Sequence, residues 1–214
     1  MTDAEFDSSL VTAAFALGAE KGWGKVSAAA AARRAGLDLA QARGRFGSRG
    51  SILRKFGELA DRHALEGVLT EGPVRDRLFD MLLRRFDFLQ THRAGVVALL
   101  RVLPLEPALG LCLARATLGS MGWLLEGAGI QAGGLFGEVR KRGLAVVWAC
   151  GVQAWLRDES ADLSATMAAV DKALGRADAL AARFNPPPAT PAEAPFDSPN
   201  EPDLPFPEEP SGVA

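Results

Sequence analysis

The sequence has no tyrosine, only two histidines and two cysteines, and few of the β-branched residues that favour strands. Because alanine, leucine and arginine are abundant instead, we expect the 214-residue chain to be helical throughout. Cys112 and Cys150 lie in apolar helical stretches, which favours buried reduced thiols over a disulfide. His63 and His92 stand without other ligands at metal spacing, so we expect no metal site and no cofactor.

The sequence also shows no sign of a signal peptide or of a membrane-spanning helix. The first residues are acidic and polar, which argues against a signal peptide. The charge-free runs 116–125 and 143–156 are both shorter than the roughly 18 residues that a spanning helix needs. We therefore expect a cytoplasmic protein without a transmembrane segment.

The sequence shows no nucleophile–base pair and no paired carboxylates in an apolar setting, so we expect no enzymatic activity.

The charge is unevenly distributed, although its net value is only −2. Ten basic and three acidic residues lie between Lys21 and Arg62, which predicts a basic surface for a polyanionic partner. Residues 185–214 carry six acids and no base, and ten of the 13 prolines fall there. This composition predicts a disordered, acidic tail. The tail is a candidate competitor with that polyanionic partner for the basic surface.

Helical periodicity predicts about nine helices, with a break at Gly72-Pro73. Residues 1–66 are expected to form an N-terminal module, and residues 73–184 a larger helical body. Residues 108–127 are apolar on nearly all sides, which is typical of a central helix. The last helix carries a heptad seam, which suits either a dimer interface or a core stripe within one chain. Its members include Leu163, Met167, Val170 and Leu174.

The most informative segment runs from Ser27 to Leu53. Ser27 and Asp38 can cap two short helices, and Gly36 between them can take the left-handed turn that side chains resist. In a helix-turn-helix, the second of two such helices enters the major groove, where Gln reads adenine and Arg reads guanine. We therefore predict DNA contacts from the polar residues of this segment and its flanks. They are Lys25, Ser27, Asp38, Gln41, Arg43, Arg45 and Arg49.

The run from Leu10 to Leu53 resembles the DNA-binding domain of TetR-family transcriptional regulators. The family usually has Gly, a hydroxyl residue and Tyr along its recognition helix, where this sequence has Ala40, Gln41 and Arg43. The resemblance implies an all-α, TetR-like fold and a homodimeric regulator that binds operator DNA and a small apolar ligand. The motifs that carry it are Ala19-Glu20-Lys21-Gly22-Trp23, Ala35-Gly36-Leu37, Phe46, Ser48-Arg49 and Ile52-Leu53.

The same resemblance implies two sites in the helical body. One is an apolar ligand pocket, for which the candidates are Phe86, Leu100, Leu111, Met121, Trp123 and Trp148. The other is a dimer interface made by the last two helices, for which the candidates are Trp155, Leu163, Met167, Val170 and Leu174.

Parts of the body also resemble a lipid-binding accessory family of ubiquinone biosynthesis, which shares the TetR fold. The segments concerned are 74–80, 84–87, 123–126 and 158–167. This second resemblance implies an alternative function, in which the protein binds an isoprenoid lipid and has no operator. The family's membrane-touching C-terminal helix has no counterpart in this sequence, where the proline-rich tail stands in its place.

Overall fold

The computed structural model describes residues 1–68 and 71–184, and all regular structure within them is helical. The predicted all-α fold with about nine helices is confirmed, whereas the predicted tail lies outside the described residues. The helices are α1 (Asp3–Lys21), α2 (Ala28–Ala35), α3 (Leu39–Arg45), α4 (Arg49–Leu65), α5 (Val74–Thr91), α6 (Arg93–Val102), α7 (Pro107–Gly127), α8 (Gly134–Trp155) and α9 (Ser164–Phe184).

The first helix begins earlier than its sequence suggests. Asp7 and Ser8 are possible caps, but α1 starts at Asp3, after the N-cap residue Thr2. The Thr2 hydroxyl accepts a hydrogen bond from the Glu5 amide, and the Glu5 carboxylate accepts one from the Thr2 amide at 2.6 Å. This reciprocal capping box supplies partners for amides that would otherwise have none. Asp7 is thereby placed inside the helix, where it is buried.

Close helix crossings hold the N-terminal helices against the body. At Gly95 of α6, an added Cβ would stand 2.5 Å from the Phe15 carbonyl oxygen of α1, so no larger residue fits there. The indole Nε1 of Trp23 donates to the Gly95 carbonyl at 2.9 Å across the same crossing. In the body, α8 packs along α9, and a Cβ at Gly151 would come within 2.8 Å of Phe86 and Val170.

Helix α7 is not buried on all sides, contrary to the expectation from its composition. Leu109, Met121 and Leu124 face the core, whereas Leu111 and Trp123 are exposed by 59% and 66%. The buried side of the helix packs chiefly on α4. By length and composition alone, α7 is also the one helix of the described chain that could cross a bilayer, which is weak evidence for a span, so the expectation of no transmembrane segment stays a prediction. Core helices of globular proteins have the same composition.

The two cysteines also differ from their prediction. Neither Cys112 nor Cys150 forms a disulfide, but both are exposed rather than buried. Cys112 lies in α7 with its Sγ beside Gly50 of α4, and Cys150 lies toward the end of α8. Both α7 and α8 are apolar on most sides, so an apolar sequence around a cysteine does not show that the cysteine is buried.

Candidate nucleic-acid interface

Two short helices and the turn between them form the candidate interface. The Ser27 hydroxyl caps α2 by accepting from the Ala30 amide at 3.1 Å, and the Asp38 carboxylate caps α3 by accepting from the Gln41 amide at 2.7 Å. Gly36 ends α2 in the left-handed conformation, with φ at 66°. The Leu37 amide then donates back to the Ala32 carbonyl at 2.9 Å, a bond typical of a Schellman ending. The predicted roles of Ser27, Gly36 and Asp38 in this turn are confirmed.

Helix α3 has one buried side and one broad exposed side. Ala42 is 1% exposed, and Phe46, which follows the helix, is 2% exposed; together they anchor α3 to the module. Gln41 and Arg43 are exposed, as are the small residues Ala40 and Gly44. Because Ala40 has only a methyl group and Gly44 has no side chain, the exposed side of α3 can approach another molecule closely. Gln41 and Arg43 are the polar side chains that this side offers.

Arg45 does not project outward with Gln41 and Arg43, contrary to its prediction as a DNA contact. Its Nε and Nη2 donate to the two carboxylate oxygens of Asp7 at 2.6 and 2.8 Å, and its Nη1 lies 2.9 Å from Asp3. The hydrogen bonds that Arg45 donates to Asp7 raise the pKa of Arg45, so the guanidinium stays charged. Burial alone raises the pKa of Asp7, but bonds from Arg45 and Lys55 outweigh it and leave that pKa below its ordinary value. Arg45 therefore ties α3 to α1.

Arg49 is likewise engaged inside the protein, although the sequence predicts a phosphate contact. Its two terminal nitrogens lie 2.9 and 2.6 Å from the carboxylate oxygens of Glu106, a bidentate pair. Nη1 also donates to the Trp23 carbonyl at 3.3 Å. Because Arg49 opens α4 and Glu106 immediately precedes α7, this pair fixes the N-terminal module to the body.

The remaining predicted contacts have mixed positions. Lys25 is exposed and has no ion-pair partner within the described residues, as is also the case for Arg43. Ser27 is exposed, but its hydroxyl is occupied by the cap of α2. Asp38 carries a negative charge and serves the cap of α3, so it is a structural residue of the turn and would repel phosphate.

A buried polar cluster joins α4, α5 and α7, and the sequence analysis did not identify it. Arg85 is 5% exposed and forms an ion pair with Asp61, which is 8% exposed. The Ser120 hydroxyl donates to Asp61 at 2.7 Å and accepts from Arg85 Nη2 at 3.1 Å. The Arg85 guanidinium also lies 5.0 Å from the ring centre of Trp148. Burial lowers the pKa of Arg85 to about 10, which still leaves it charged at neutral pH.

The signal for this cluster in the sequence is weak. Asp61 and Arg85 stand 24 positions apart, on two helices that each carry several other charged residues. Periodicity places both near the edge of an apolar stripe, where a charge is usually solvated. Only the packing of α4 between α5 and α7 brings the two charges together inside the core.

The six predicted pocket residues do not line a common cavity. Phe86 and Met121 are fully buried, and Trp148 stacks on Phe86 with ring centres 4.4 Å apart. Leu100 is half-buried, whereas Leu111 and Trp123 lie on the outer surface of α7. A solvent-open groove of about 210 Å³ lies beside Trp123, between α7 and α8. Gly119, Gly122, Trp123, Glu126 and Lys141 line it.

The predicted dimer residues are also placed differently. Trp155 and Val170 are fully buried within the chain, and Leu163 and Leu174 are 6% and 2% exposed. Met167 is half-buried. The heptad seam of α9 is thus the core stripe within one chain that the sequence left open, because α8 and α5 cover it. These side chains have little or no surface left for a second chain.

A second seam, which sequence reasoning missed, runs along the outside of α8. Val139 and Val146 are exposed by 61% and 64%, and Phe136 by 76%. Spacings of three and four residues alternate along this line, as they do in a helix that packs against a partner. The apolar character of α8 on nearly all sides hides the pattern in the sequence. The seam consists of Phe136, Val139, Gly143, Val146, Cys150 and Gln153.

Solved structures of several TetR-family regulators are similar to this chain. A TetR transcriptional regulator from Nitrosomonas europaea ATCC 19718 has a TM-score of 0.63 at 18% identity, covering 81% of this chain and 98% of that one. A TetR-family regulator from Streptomyces coelicolor has a TM-score of 0.58 at 16% identity, covering 86% and 85%. A putative one from Syntrophomonas wolfei str. Goettingen has a TM-score of 0.56 at 12% identity, covering 84% and 96%.

No protein-family model and no curated protein sequence matches the chain. The resemblance to the ubiquinone accessory family therefore stays a prediction, and the structural similarities do not favour it. The three similarities cover 81–86% of this chain. The described part of this chain has the fold of the TetR-family transcriptional regulators.

Proposed function

We propose that this protein is a DNA-binding transcriptional regulator whose helix α3 enters the major groove. The observation that carries the proposal is the capped α2–α3 turn, which leaves Gln41 and Arg43 exposed on the fold of TetR-family regulators. An Arg side chain forms bidentate hydrogen bonds with guanine, and a Gln side chain does so with adenine. We assign Lys25 to the phosphate backbone, because it is exposed and precedes the cap of α2.

The proposed regulator acts as a homodimer that meets through the outer seam of α8. Exposed Phe136, Val139 and Val146 form an apolar stripe that a second copy of the same stripe would cover. Two recognition helices could then occupy successive major grooves, about 34–36 Å apart. This assignment replaces the buried seam of α9 as the interface.

We place the small apolar ligand in the groove beside Trp123. The exposed indole and the backbone at Gly119 and Gly122 give the groove an apolar floor, and Lys141 and Glu126 add charge at its edge. A ligand in this groove could influence α3 through α7, because Glu106 at the start of α7 holds Arg49 of α4. It would do so only if it bound one arrangement of α4 and α7 more tightly than another.

The DNA-binding proposal is tested by selecting fragments of a genomic library on the purified full chain at moderate salt. We expect enrichment of a palindrome, with Arg43→Ala lowering affinity for that site by about 5- to 150-fold, equivalent to roughly 1–3 kcal/mol. Arg62→Ala is the matched control, since Arg62 is an exposed arginine of α4 without an ion-pair partner in the described part of the chain. An absence of any enriched palindrome, or equal losses for both variants, would contradict the proposal.

The dimer assignment has its own test. Val139→Asp and Val146→Asp place charges on the exposed seam of α8, and we expect analytical ultracentrifugation to show that each halves the mass of the wild-type particle. Thr12→Asp, at an exposed position of α1, should leave the mass unchanged. A wild-type protein that sediments as a monomer at micromolar concentration would show that the seam has no partner copy.

A further inference from the structure

The cations of the helix-turn-helix module divide into those with acidic partners and those without. Of the ten basic residues between Lys21 and Arg62, Arg34, Arg45, Arg49, Arg54 and Lys55 form ion pairs within the chain. Lys21 acts on Glu20 at longer range. Lys25, Arg33 and Arg43, which lie on or beside α2 and α3, are exposed and form no ion pair with any described residue, and the same is true of Arg62 near the end of α4. We call Lys25, Arg33 and Arg43, which lie at the helix-turn-helix itself, the unpaired cations of the module.

The acidic counterpart of these cations lies at the other end of the sequence. All six acids of the last thirty residues fall between Glu193 and Glu209, and no basic residue follows Arg183. Six of the chain's 26 acids are therefore in this segment, which leaves 20 acids against 24 basic residues before it. The chain up to residue 184 is thus net basic, and the segment after it is purely acidic. Opposite charges joined in one chain attract each other across distances comparable to the Debye length.

The acidic segment is long enough to reach the module. It follows α9, which Arg75 holds against the start of α5 through Asp171 at 2.6 Å. The other end of α5 adjoins the N-terminal module, where the ring of His92 lies 5.8 Å from that of Phe15. An 18-residue helix such as α5 spans about 27 Å. The part of α9 after Asp171 adds up to about 20 Å to this path, so the segment must cover about 47 Å. Residues 185–192 can cover about 26 Å when extended, and the 17 residues from Glu193 to Glu209 about 56 Å more, so the later acids can reach the module.

We propose that the acidic segment from Glu193 to Glu209 binds the unpaired cations of the module and competes there with nucleic-acid phosphate. The competition rests on the proposed DNA-binding function, whereas the contact itself does not. Single exposed ion pairs are weak, but a tethered segment is present at an effective concentration in the millimolar range. The segment therefore mainly weakens the sequence-independent contacts between the module and DNA phosphate. Added salt weakens the contact between the segment and the unpaired cations.

The contact is tested in the full chain without DNA. One variant replaces every acid of the segment by its amide, with E193Q, D197N, E201Q, D203N, E208Q and E209Q. The matched control keeps all six charges and carries T190A, S198A, N200A and S211A. We expect backbone amide NMR signals around Arg33 and Arg43 to differ between the amide variant and the wild type at 50 mM salt, and to converge at 500 mM. The control should follow the wild type, and identical spectra for all three proteins would overturn the proposal.

A second measurement separates this inference from the function on which it rests. Fluorescence anisotropy with a 30-base-pair duplex of arbitrary sequence should show about tenfold tighter binding by the amide variant than by the wild type at 50 mM salt. If the amide signals move but no duplex binds to any variant, the segment binds the cations and the DNA-binding function fails. If all three proteins bind DNA equally tightly, the competition is refuted and the function stands.

Discussion

Arginine residues have opposite roles on the exposed side of α3 and at the two ends of α4. On α3, Arg43 is exposed and forms no ion pair among residues 1–68 and 71–184. At the start of α4, Arg49 pairs with Glu106, and near its end Asp61 pairs with Arg85 of α5. The difference is decided by whether a carboxylate from another helix faces the guanidinium. The number of cationic residues in a stretch of sequence is therefore only an upper limit to the number that a partner molecule can contact.

The largest effect that this comparison predicts is in the buried pair. Arg85→Ala leaves the Asp61 charge buried without its partner, and we expect a loss of about 3–5 kcal/mol in the free energy of unfolding, measured by urea denaturation. Arg62→Ala removes an exposed arginine of α4 and should change that free energy by less than about 0.5 kcal/mol. Similar values for the two variants would show that Asp61 and Arg85 are solvated. The double variant Asp61→Leu, Arg85→Met should recover most of the stability, because it buries no charge.

A smaller effect is expected at Asp7, whose pKa is lower in the folded chain than its ordinary value. A depressed carboxyl pKa stabilises the fold above the unfolded pKa, and this contribution is lost as pH falls through the folded pKa. Asp7→Asn should therefore cost about 1–3 kcal/mol at pH 7, because the bonds from Arg45 and Lys55 are weakened. The difference in unfolding free energy between wild type and variant should shrink below about pH 4. A difference that is independent of pH between 2 and 7 would contradict this account.

The smallest effect on stability is expected where Arg49 meets Glu106. Both side chains are partly exposed, at 34% and 25%, so Glu106→Gln should cost less than about 1 kcal/mol. The same substitution releases Arg49 to bind phosphate. We therefore expect tighter DNA binding and a plot of log affinity against log salt concentration that is steeper by about one unit. Unchanged DNA affinity and slope would mean that Arg49 stays fixed by its bond to the Trp23 carbonyl.

The local features of the N-terminal module could be predicted from the sequence because they depend on neighbouring residues. Ser27, Gly36 and Asp38 act within three positions of the atoms that they cap or turn. The positions of Arg45 and Arg49 could not be predicted in this way, because their partners Asp7 and Glu106 stand 38 and 57 positions away. In the body, α7 and α8 are apolar on most sides, so periodicity could not show which side faces the core.

The hydrogen bond between Trp23 and Gly95 makes one indole a natural reporter of the junction between module and body. Its Nε1 is held at 2.9 Å from the Gly95 carbonyl, and Gly18 leaves the space that the ring occupies. The emission of a buried, hydrogen-bonded indole shifts to the red when water reaches it. In a variant whose other three tryptophans are replaced by phenylalanine, a shift of the emission wavelength on adding DNA or ligand would report the separation of α1 from α6 without an attached dye.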